Sequence, residues 1–388
     1  MARLPLDYAV RNLGRSPLRA GLSVLGAGLV VLLVIAAAGF VTGMSRSLRA
    51  SGDDRHVILL GAGSEESIER SEIAASVGSL VAAAVPGLQT SMGAPHVSAE
   101  VHVQLPVRSS PDAPNPRLLL IRGVTPGAML VHRSVQITEG RFPRAGHDEI
   151  MLGSAAPRQL GLADADLAVG GTLWIDKAKW TIVGRFAAPG TVMQAEAWTA
   201  LTDLKAATKR ETDSCVELAL GDAEFADIDA FARQRLDLEL TAVPETRYYA
   251  GLASFFRPVQ AVVWATALLI AAGGLLGGLN TMYAAFSSRV RELGMLQCLG
   301  YRRSAIVLSL VQESLLAAGA GAVLACVAGL ALLDGLAVRF STGVFGLVVD
   351  HTVVALGLAA GLALGLIGAL PPALRALRLP IAESLKAA

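Results

Sequence analysis

Four apolar segments, Gly21–Phe40, Pro258–Phe286, Ala305–Leu333 and Thr352–Leu370, constrain this chain more than any other feature. Each is nearly free of charge and close to or above the ~20 residues that cross a bilayer core as a helix. A soluble helix of that length keeps a polar face, and these keep almost none. Charged residues make up only 17% of the chain, against about 25% in ordinary soluble domains. The sequence therefore predicts an α-helical membrane protein with four transmembrane helices. The first segment could instead be a cleaved leader, with Ala36, Ala37 and Ala38 as the cleavage site. Its run is 20 residues long and continues through Phe40 and Val41, whereas a leader's apolar region is about 7–15. It is read as a retained span.

Charge asymmetry predicts the orientation, because loops rich in Arg and Lys stay in the cytoplasm. Arg3, Arg11, Arg15 and Arg19 precede the first segment against Asp7 alone. Residues 287–304 carry Arg289, Arg291, Arg302 and Arg303 against Glu292, and the tail carries Arg375, Arg378 and Lys386 against Glu383. The loop with Asp334, Arg339 and Asp350 is net acidic. The expected organisation is an interfacial helix plus span one over 1–44, an extracytoplasmic domain over 45–257 and span two over 258–286. A cytoplasmic helix over 287–304, span three over 305–333, a short outer loop over 334–351, span four over 352–370 and a cytoplasmic tail over 371–388 complete it.

The inserted segment has mixed patterning. Residues 65–85 show helical periodicity with an acidic first turn, "VHVQLPV" (101–107) alternates as a strand, and "RLLLIRGV" (117–124) can return antiparallel to it. The connector "RSSPDAPNP" reads as an exposed tip. Further strands are expected at 149–152, 172–176, 179–185, 214–220 and 238–243, with a helix near 224–236. Together these predict an α+β domain inserted between the first two spans.

The sequence excludes several kinds of chemistry. A P-loop needs a Lys followed by Ser or Thr, and Lys177, Lys179, Lys205, Lys209 and Lys386 are followed by Ala, Trp, Ala, Arg and Ala. There is no GxSxG, no HExxH and no CxxC. Cys215 is the lone cysteine of the inserted segment, so no disulfide can form within it. His96 and His102 share one face of a strand but lack a third suitably spaced ligand, and they are read as solvated. No catalytic, cofactor or metal residue is assigned. A net charge of +1 says little about partners, and no nucleic acid is expected among them.

The spans carry more information. Gly273/Gly277 and Gly274/Gly278 form overlapping GxxxG pairs in span two, and Gly357, Gly361 and Gly365 recur every fourth residue in span four. Such spacing clears a groove for close helix packing in lipid, and a four-span bundle is thin enough to make dimerisation plausible. Asn280 in span two is read as interhelical glue. Gln312 and Glu313 lie in span three, the acid about 12 Å into the helix from Ala305. An ionisable group at such depth is costly, so Glu313 is expected near the cytoplasmic interface, paired with a base such as Arg302 or Arg303.

Between spans two and three, "SSRVRELGMLQCLGYRRSAI" (287–306) sets Leu293, Leu296, Leu299 and Ile306 at helical spacing, with Gly294 and Gly300 as candidate bounds. It reads as a short amphipathic cytoplasmic helix.

The order of these parts resembles the FtsX/MacB-type permeases of ABC transporters. "AVRNLGRSPLRAGLSVLG" (9–26) is similar to the family's N-terminal start, and "RVRELGMLQCLGYRRSAI" to its signature after span two, with Arg291, Glu292, Gly294 and Leu296 as its R-E-x-G-x-L core. "LVQESLLAAGAGAVLACVAG" resembles the third span and "LPPALRALRLPIAESLKA" the C-terminal ending. "ITEGRFPRAGHDEIMLGSAAPRQLGL" followed by "VGGTLWIDKAKWTIVGRF" is similar to the MacB-like periplasmic core domain. The resemblance implies a separate cytoplasmic ATPase that binds ATP and Mg, a second permease copy or paralogue, and room for a periplasmic adaptor, in a bacterial inner membrane. It also implies that residues 291–304 form a coupling helix, with Arg291, Glu292, Leu293, Leu296, Leu299, Tyr301 and Arg302 as the ATPase-contacting residues. Transport would then be mechanotransmission of ATPase strokes to the outer domain, acting on an amphipathic lipoprotein, lipid, peptide or drug. An FtsX-like signalling scaffold that activates a cell-wall hydrolase is the alternative, although the roughly 210-residue insert is large for that branch. A membrane-anchored enzyme lacks any catalytic constellation.

Overall fold

A computed structural model of the chain describes residues 6–340 and 343–376. Arg3 and the tail residues Arg378, Glu383 and Lys386 lie outside the described residues. The chain opens with α1 (Leu6–Arg15), α2 (Pro17–Ala50), β1 (His56–Gly61), α3 (Val77–Ala84), and the two-residue strands β2 (Thr90–Ser91) and β3 (Ala94–Pro95). It continues with β4 (Val97–Arg108), β5 (Arg117–Val124), α4 (Ala128–Val131), β6 (Gln136–Gly140), β7 (Glu149–Gly153) and α5 (Ala156–Leu160). Then come β8 (Thr172–Ile175), β9 (Ala178–Ala187), β10 (Ala197–Ala200), α6 (Leu201–Thr208), β11 (Cys215–Ala219), α7 (Phe225–Gln234), β12 (Leu240–Pro244) and α8 (Glu245–Phe255). The last part holds α9 (Arg257–Ser287), α10 (Val290–Cys298), α11 (Arg303–Ala328), the hairpin strands β13 (Ala337–Phe340) and β14 (Gly343–Gly346), and α12 (His351–Ala376). These elements fall into two units, one mainly helical and one built on a sheet.

In the helical unit, the N-terminal amphipathic stretch is broken at Ser16 because Pro17 opens α2. Proline is favoured at the first helical position and pushes the residue before it out of the helical region. Among the described residues, four helices are long and apolar enough to cross a membrane: Pro17–Ala50, Arg257–Ser287, Arg303–Leu333 and His351–Arg375. Val31, Ile35 and Ala38 of α2 pack with Ala322, Ala325 and Cys326 of α11 and with Val349 and Val353 around the start of α12.

The other unit is ordered by a ten-stranded mixed sheet, β12-β1-β11-β4-β5-β10-β7-β9-β6, with β8 pairing both β4 and β9. β4 and β5 form its long antiparallel pair, with His102 opposite Arg122. The proline-rich connector between them is exposed at its tip. The remaining alternating runs form strands close to where the pattern puts them, but the helix expected over 65–85 does not extend that far. Only Val77–Ala84 is α-helical, and Ile68–Arg70 is a single 3-10 turn. Upstream of α3 the backbone is used elsewhere: Ile73 exchanges two hydrogen bonds with Asp213, both 2.9 Å, and Ser71 Oγ accepts from the Gly61 N–H. One core cluster joins α3 and α7 to β1 and β11, and another joins α5 and α6 to β4, β5 and β7.

Candidate functional site

The turn from α9 through α10 into α11 is built by burying one part of an amphipathic helix and exposing the rest. Leu293 is 4% exposed and packs against Phe286 of α9, Ile306 and Leu310 of α11 and Ala373 of α12. Leu296 and Tyr301 pack partly on the same cluster. Leu299 is 76% exposed and Met295 46%. The expected leucine stripe is therefore divided. Leu293 is committed to the chain's own core, because it faces the three helix ends that converge there, while Leu299 and Met295 face out beside the exposed Arg291, Cys298, Arg302 and Arg303. Gly294 does not bound the helix but is buried inside it. Gly300 does end it: its φ of +88° lets the chain turn back so that the Tyr301 N–H reaches Leu296 O at 3.1 Å. Beside this turn an open groove of about 570 Å³ runs between α11 and α12, lined by Arg303, Ser304, Val307, Leu308, Leu370 and Leu374.

Glu313 pairs with a base, but with Arg289 rather than Arg302 or Arg303. Arg289 Nη1 donates to Glu313 Oε1 at 3.2 Å and to Oε2 at 2.9 Å. Asn12 of α1, itself buried, donates its side-chain amide to Glu313 Oε2 at 3.0 Å. Arg302 and Arg303 occupy the cap and first position of α11, about three turns from Glu313 along the helix, which is why they cannot reach it. Glu292 lies 3.8 Å from Arg15 in an exposed pair. Gln312 is half-buried, and Asn280 is exposed on α9 rather than held between helices of the chain.

The two glycine motifs separate. A Cβ at Gly361 would stand 2.5 Å from Ala322 Cβ, one at Gly365 2.9 Å from Ala318 Cβ, and one at Gly357 2.8 Å from Ile35 Cγ1. These three glycines let α12 close on α11 and α2. Around Gly273 and Gly277 a Cβ would meet no atom within 4 Å. The glycine by which α9 approaches α2 is Gly274, where a Cβ would overlap Val30.

Sequence reasoning missed a buried charge network in the sheet unit. Arg122 (β5) grips Glu196, just before β10, through Nε at 2.8 Å and Nη2 at 2.9 Å, and its Nη1 reaches Glu100 Oε2 (β4) at 2.8 Å and Glu217 Oε1 (β11) at 3.4 Å. His132 Nε2, on the other side, lies 2.8 Å from Glu100 Oε1 and 3.2 Å from Glu217 Oε2. His102 Nε2 meets Glu100 Oε2 at 3.0 Å. Trp198 stacks under Arg122 at 5.4 Å and donates its indole N–H to Glu196. Burial pulls the His132 imidazole down, yet the Glu217 and Glu100 carboxylates outweigh it and push it up to about 9. Burial pushes the Glu217 carboxyl up to about 8. Burial also opposes the Glu100 charge, but His132 and Arg122 hold that carboxyl well below its usual range. Contrary to expectation, His96 and His102 are both buried, and His96 Nε2 lies 2.7 Å from Ser91 Oγ. One signal was available: Glu100, His102 and Arg122 are polar residues inside strands whose neighbours are aliphatic.

Glu100, His102, Cys215 and Glu217 bring potential metal-ligand atoms close together, as do His132, Glu217 and Glu245. The Arg122 guanidinium already stands between the first set's carboxylates and supplies the positive charge there, so the arrangement fits a closed ion network better than a metal centre.

Long apolar helices, an α+β domain inserted after the first of them and an apolar, basic turn between two others define a membrane protein of permease architecture. Residues 264–381 match the FtsX-like permease C-terminal family, and residues 20–234, more than half of the chain, match the MacB-like periplasmic core domain. The chain belongs to the FtsX/MacB-type family of ABC transporter permeases. Its fold is also similar to the periplasmic region of MacB from Actinobacillus actinomycetemcomitans, at 8% identity over 52% of this chain and 94% of that one, with a TM-score of 0.38. The extracellular domain of the noncanonic ABC-type transporter YknZ from Gram-positive bacteria is similar at 13% identity over 48% of this chain and 99% of that one, with a TM-score of 0.37. No curated protein matches the chain.

Proposed function

We propose that the chain is the permease subunit of an ABC transporter whose ATP and Mg are bound by a separate cytoplasmic ATPase. It transmits ATP-driven motion to the MacB-like domain, which extrudes or extracts an amphipathic substrate. The observation that carries this reading is the exposed face of the α9–α11 turn. Leu299 and Met295 stand in the open on a helix that Leu293 anchors to three helix ends. Exposed apolar side chains ringed by arginines suit a protein partner better than water, and a rigidly anchored helix passes on a push instead of absorbing it.

On this reading Arg291, Met295, Leu299, Arg302 and Arg303 meet the ATPase, with the groove between α11 and α12 extending the surface. Leu293 and Leu296 hold the helix in place. The basic termini and this turn lie in the cytoplasm and the MacB-like domain lies outside the inner membrane. The open face at Gly273 and Gly277 serves a second permease copy or paralogue, and a periplasmic adaptor would act on the outer domain. A photo-crosslinking amino acid at Leu299, activated in intact cells, tests the docking surface. Capture of a polypeptide with a Walker A motif supports it, and a product containing lipid alone refutes it.

A further inference from the structure

We infer that Glu313 is the shared latch of the helical unit: one carboxylate that fixes the coupling turn and the N-terminal helix α1 to α11 at the same time. The inference rests on the coupling reading for its purpose, but its geometry stands by itself. Arg289 is the N-cap residue of α10, so the pair with Glu313 holds the hinge between α9 and α10. Asn12 ties α1 to the same oxygen, Oε2. Glu313 and Arg289 are mostly shielded from solvent, with 14% and 11% of their side chains exposed, so the pair is screened far less than a surface ion pair. In apolar surroundings an ionisable residue is kept only where partners offset its cost, and among the described residues Glu313 has Asn12 and Arg289, from two different segments.

The arrangement gives α1 a role beyond lying at the interface. Leu293 fixes the far side of α10 through apolar contact, and Arg289 fixes its start through charge. A displacement of α10 must therefore either break the Arg289–Glu313 pair or carry α11 with it, and α11 carries α1 through Asn12. Glu313 is a positioning residue: it acts through Arg289 and Asn12 and touches no substrate or nucleotide.

The partners predict separable effects. Glu313→Gln keeps an oxygen that accepts from the Asn12 amide but leaves Arg289 without a counter-charge. Asn12→Leu does the reverse, and Glu313→Ala removes both ties. The charge exchange Arg289→Glu with Glu313→Arg restores the ion pair, and Asn12 can still bond because its amide oxygen accepts from a guanidinium.

The test uses the full chain in lipid nanodiscs with a spin label on Cys298, which is exposed, or on Cys introduced by Arg11→Cys, also exposed, in a background where the other cysteines are replaced. Expected from the spectra is loss of the immobilised component at position 298 alone with E313Q, at position 11 alone with N12L, and at both with E313A. The charge exchange should restore it at position 298. Unchanged spectra at both positions in E313Q and E313A overturn the latch, as does a charge exchange that leaves position 298 as loose as E313Q does. If E313A does not fold, the E313Q and N12L pair decides alone. Failure of the latch is distinct from failure of the coupling reading: the spectra need no ATPase, whereas the crosslink at Leu299 needs no intact Glu313 pair.

Discussion

Arg289 at the start of α10 and Glu313 within α11 are 24 residues apart in sequence and meet at 2.9 Å. The pair closes the coupling turn on itself, so the surface carrying Met295 and Leu299 is presented by a braced element. The inward face of α10 holds the helix in place, and its outward face is free to work.

Leu293→Ala should destabilise the helical unit by about 2–5 kcal/mol, the usual range for a buried leucine that leaves a cavity. Leu299→Ala should change stability little, because that side chain is 76% exposed. Unfolding of the detergent-solubilised chain in SDS, followed by circular dichroism, compares the two.

Gly361→Leu should prevent α12 from closing on α11, since even a Cβ there would stand 2.5 Å from Ala322 Cβ. Gly277→Leu should leave the single chain as stable as before, because a Cβ there meets nothing within 4 Å. If α9 offers that face to a second copy, G277L should instead shift the chain from dimer to monomer in mass photometry.

Arg122→Ala should cost about 3–5 kcal/mol, as when one member of a buried ion network is removed and its carboxylates stay behind. Trp198 lies 5.4 Å from the guanidinium, so its fluorescence follows the loss locally during denaturation.

The same network makes the sheet unit sensitive to alkali. His132 holds its proton up to about 9 in the fold, against 6.5 for an ordinary histidine, and Glu217 holds its proton up to about 8, against 4.5. Both folded groups bind protons that the unfolded chain has already released. Their contribution is therefore greatest at low pH and is lost as pH rises through 8 and 9. The Glu217 proton acts between 4.5 and about 8 and the His132 proton between 6.5 and about 9, and one proton released on unfolding gives a slope of up to about 1.4 kcal/mol per pH unit. Denaturation midpoints between neutrality and about pH 9 should fall for the wild type and flatten for His132→Gln combined with Glu217→Gln.

Length and hydropathy made the long helices legible, and alternation made the β4–β5 pair legible, because both patterns are local. What lay beyond the sequence were the partners of polar residues. Glu313 reads as an acid near bases, but Arg289 and Asn12 are chosen by helix packing that no local pattern encodes. Leu293 and Leu299 look equivalent at helical spacing until Phe286, Ile306 and Ala373 converge on one of them. The Arg122 network was hidden for the same reason, since its members come from segments far apart in the chain. The helix at 65–85 failed where Ser71 met Gly61 of β1 and Ile73 bridged to Asp213, just before β11.

Docking of an ATPase on the outward face of α10 is checked by purifying the tagged full chain from its native membranes in mild detergent and measuring Mg-dependent ATP hydrolysis in the eluate. ATPase activity is expected with the wild type, and loss of activity with Met295→Asp plus Leu299→Asp while the permease itself is recovered in equal amount. Hydrolysis that survives this double substitution, or a wild-type chain that purifies without any ATPase, would contradict it.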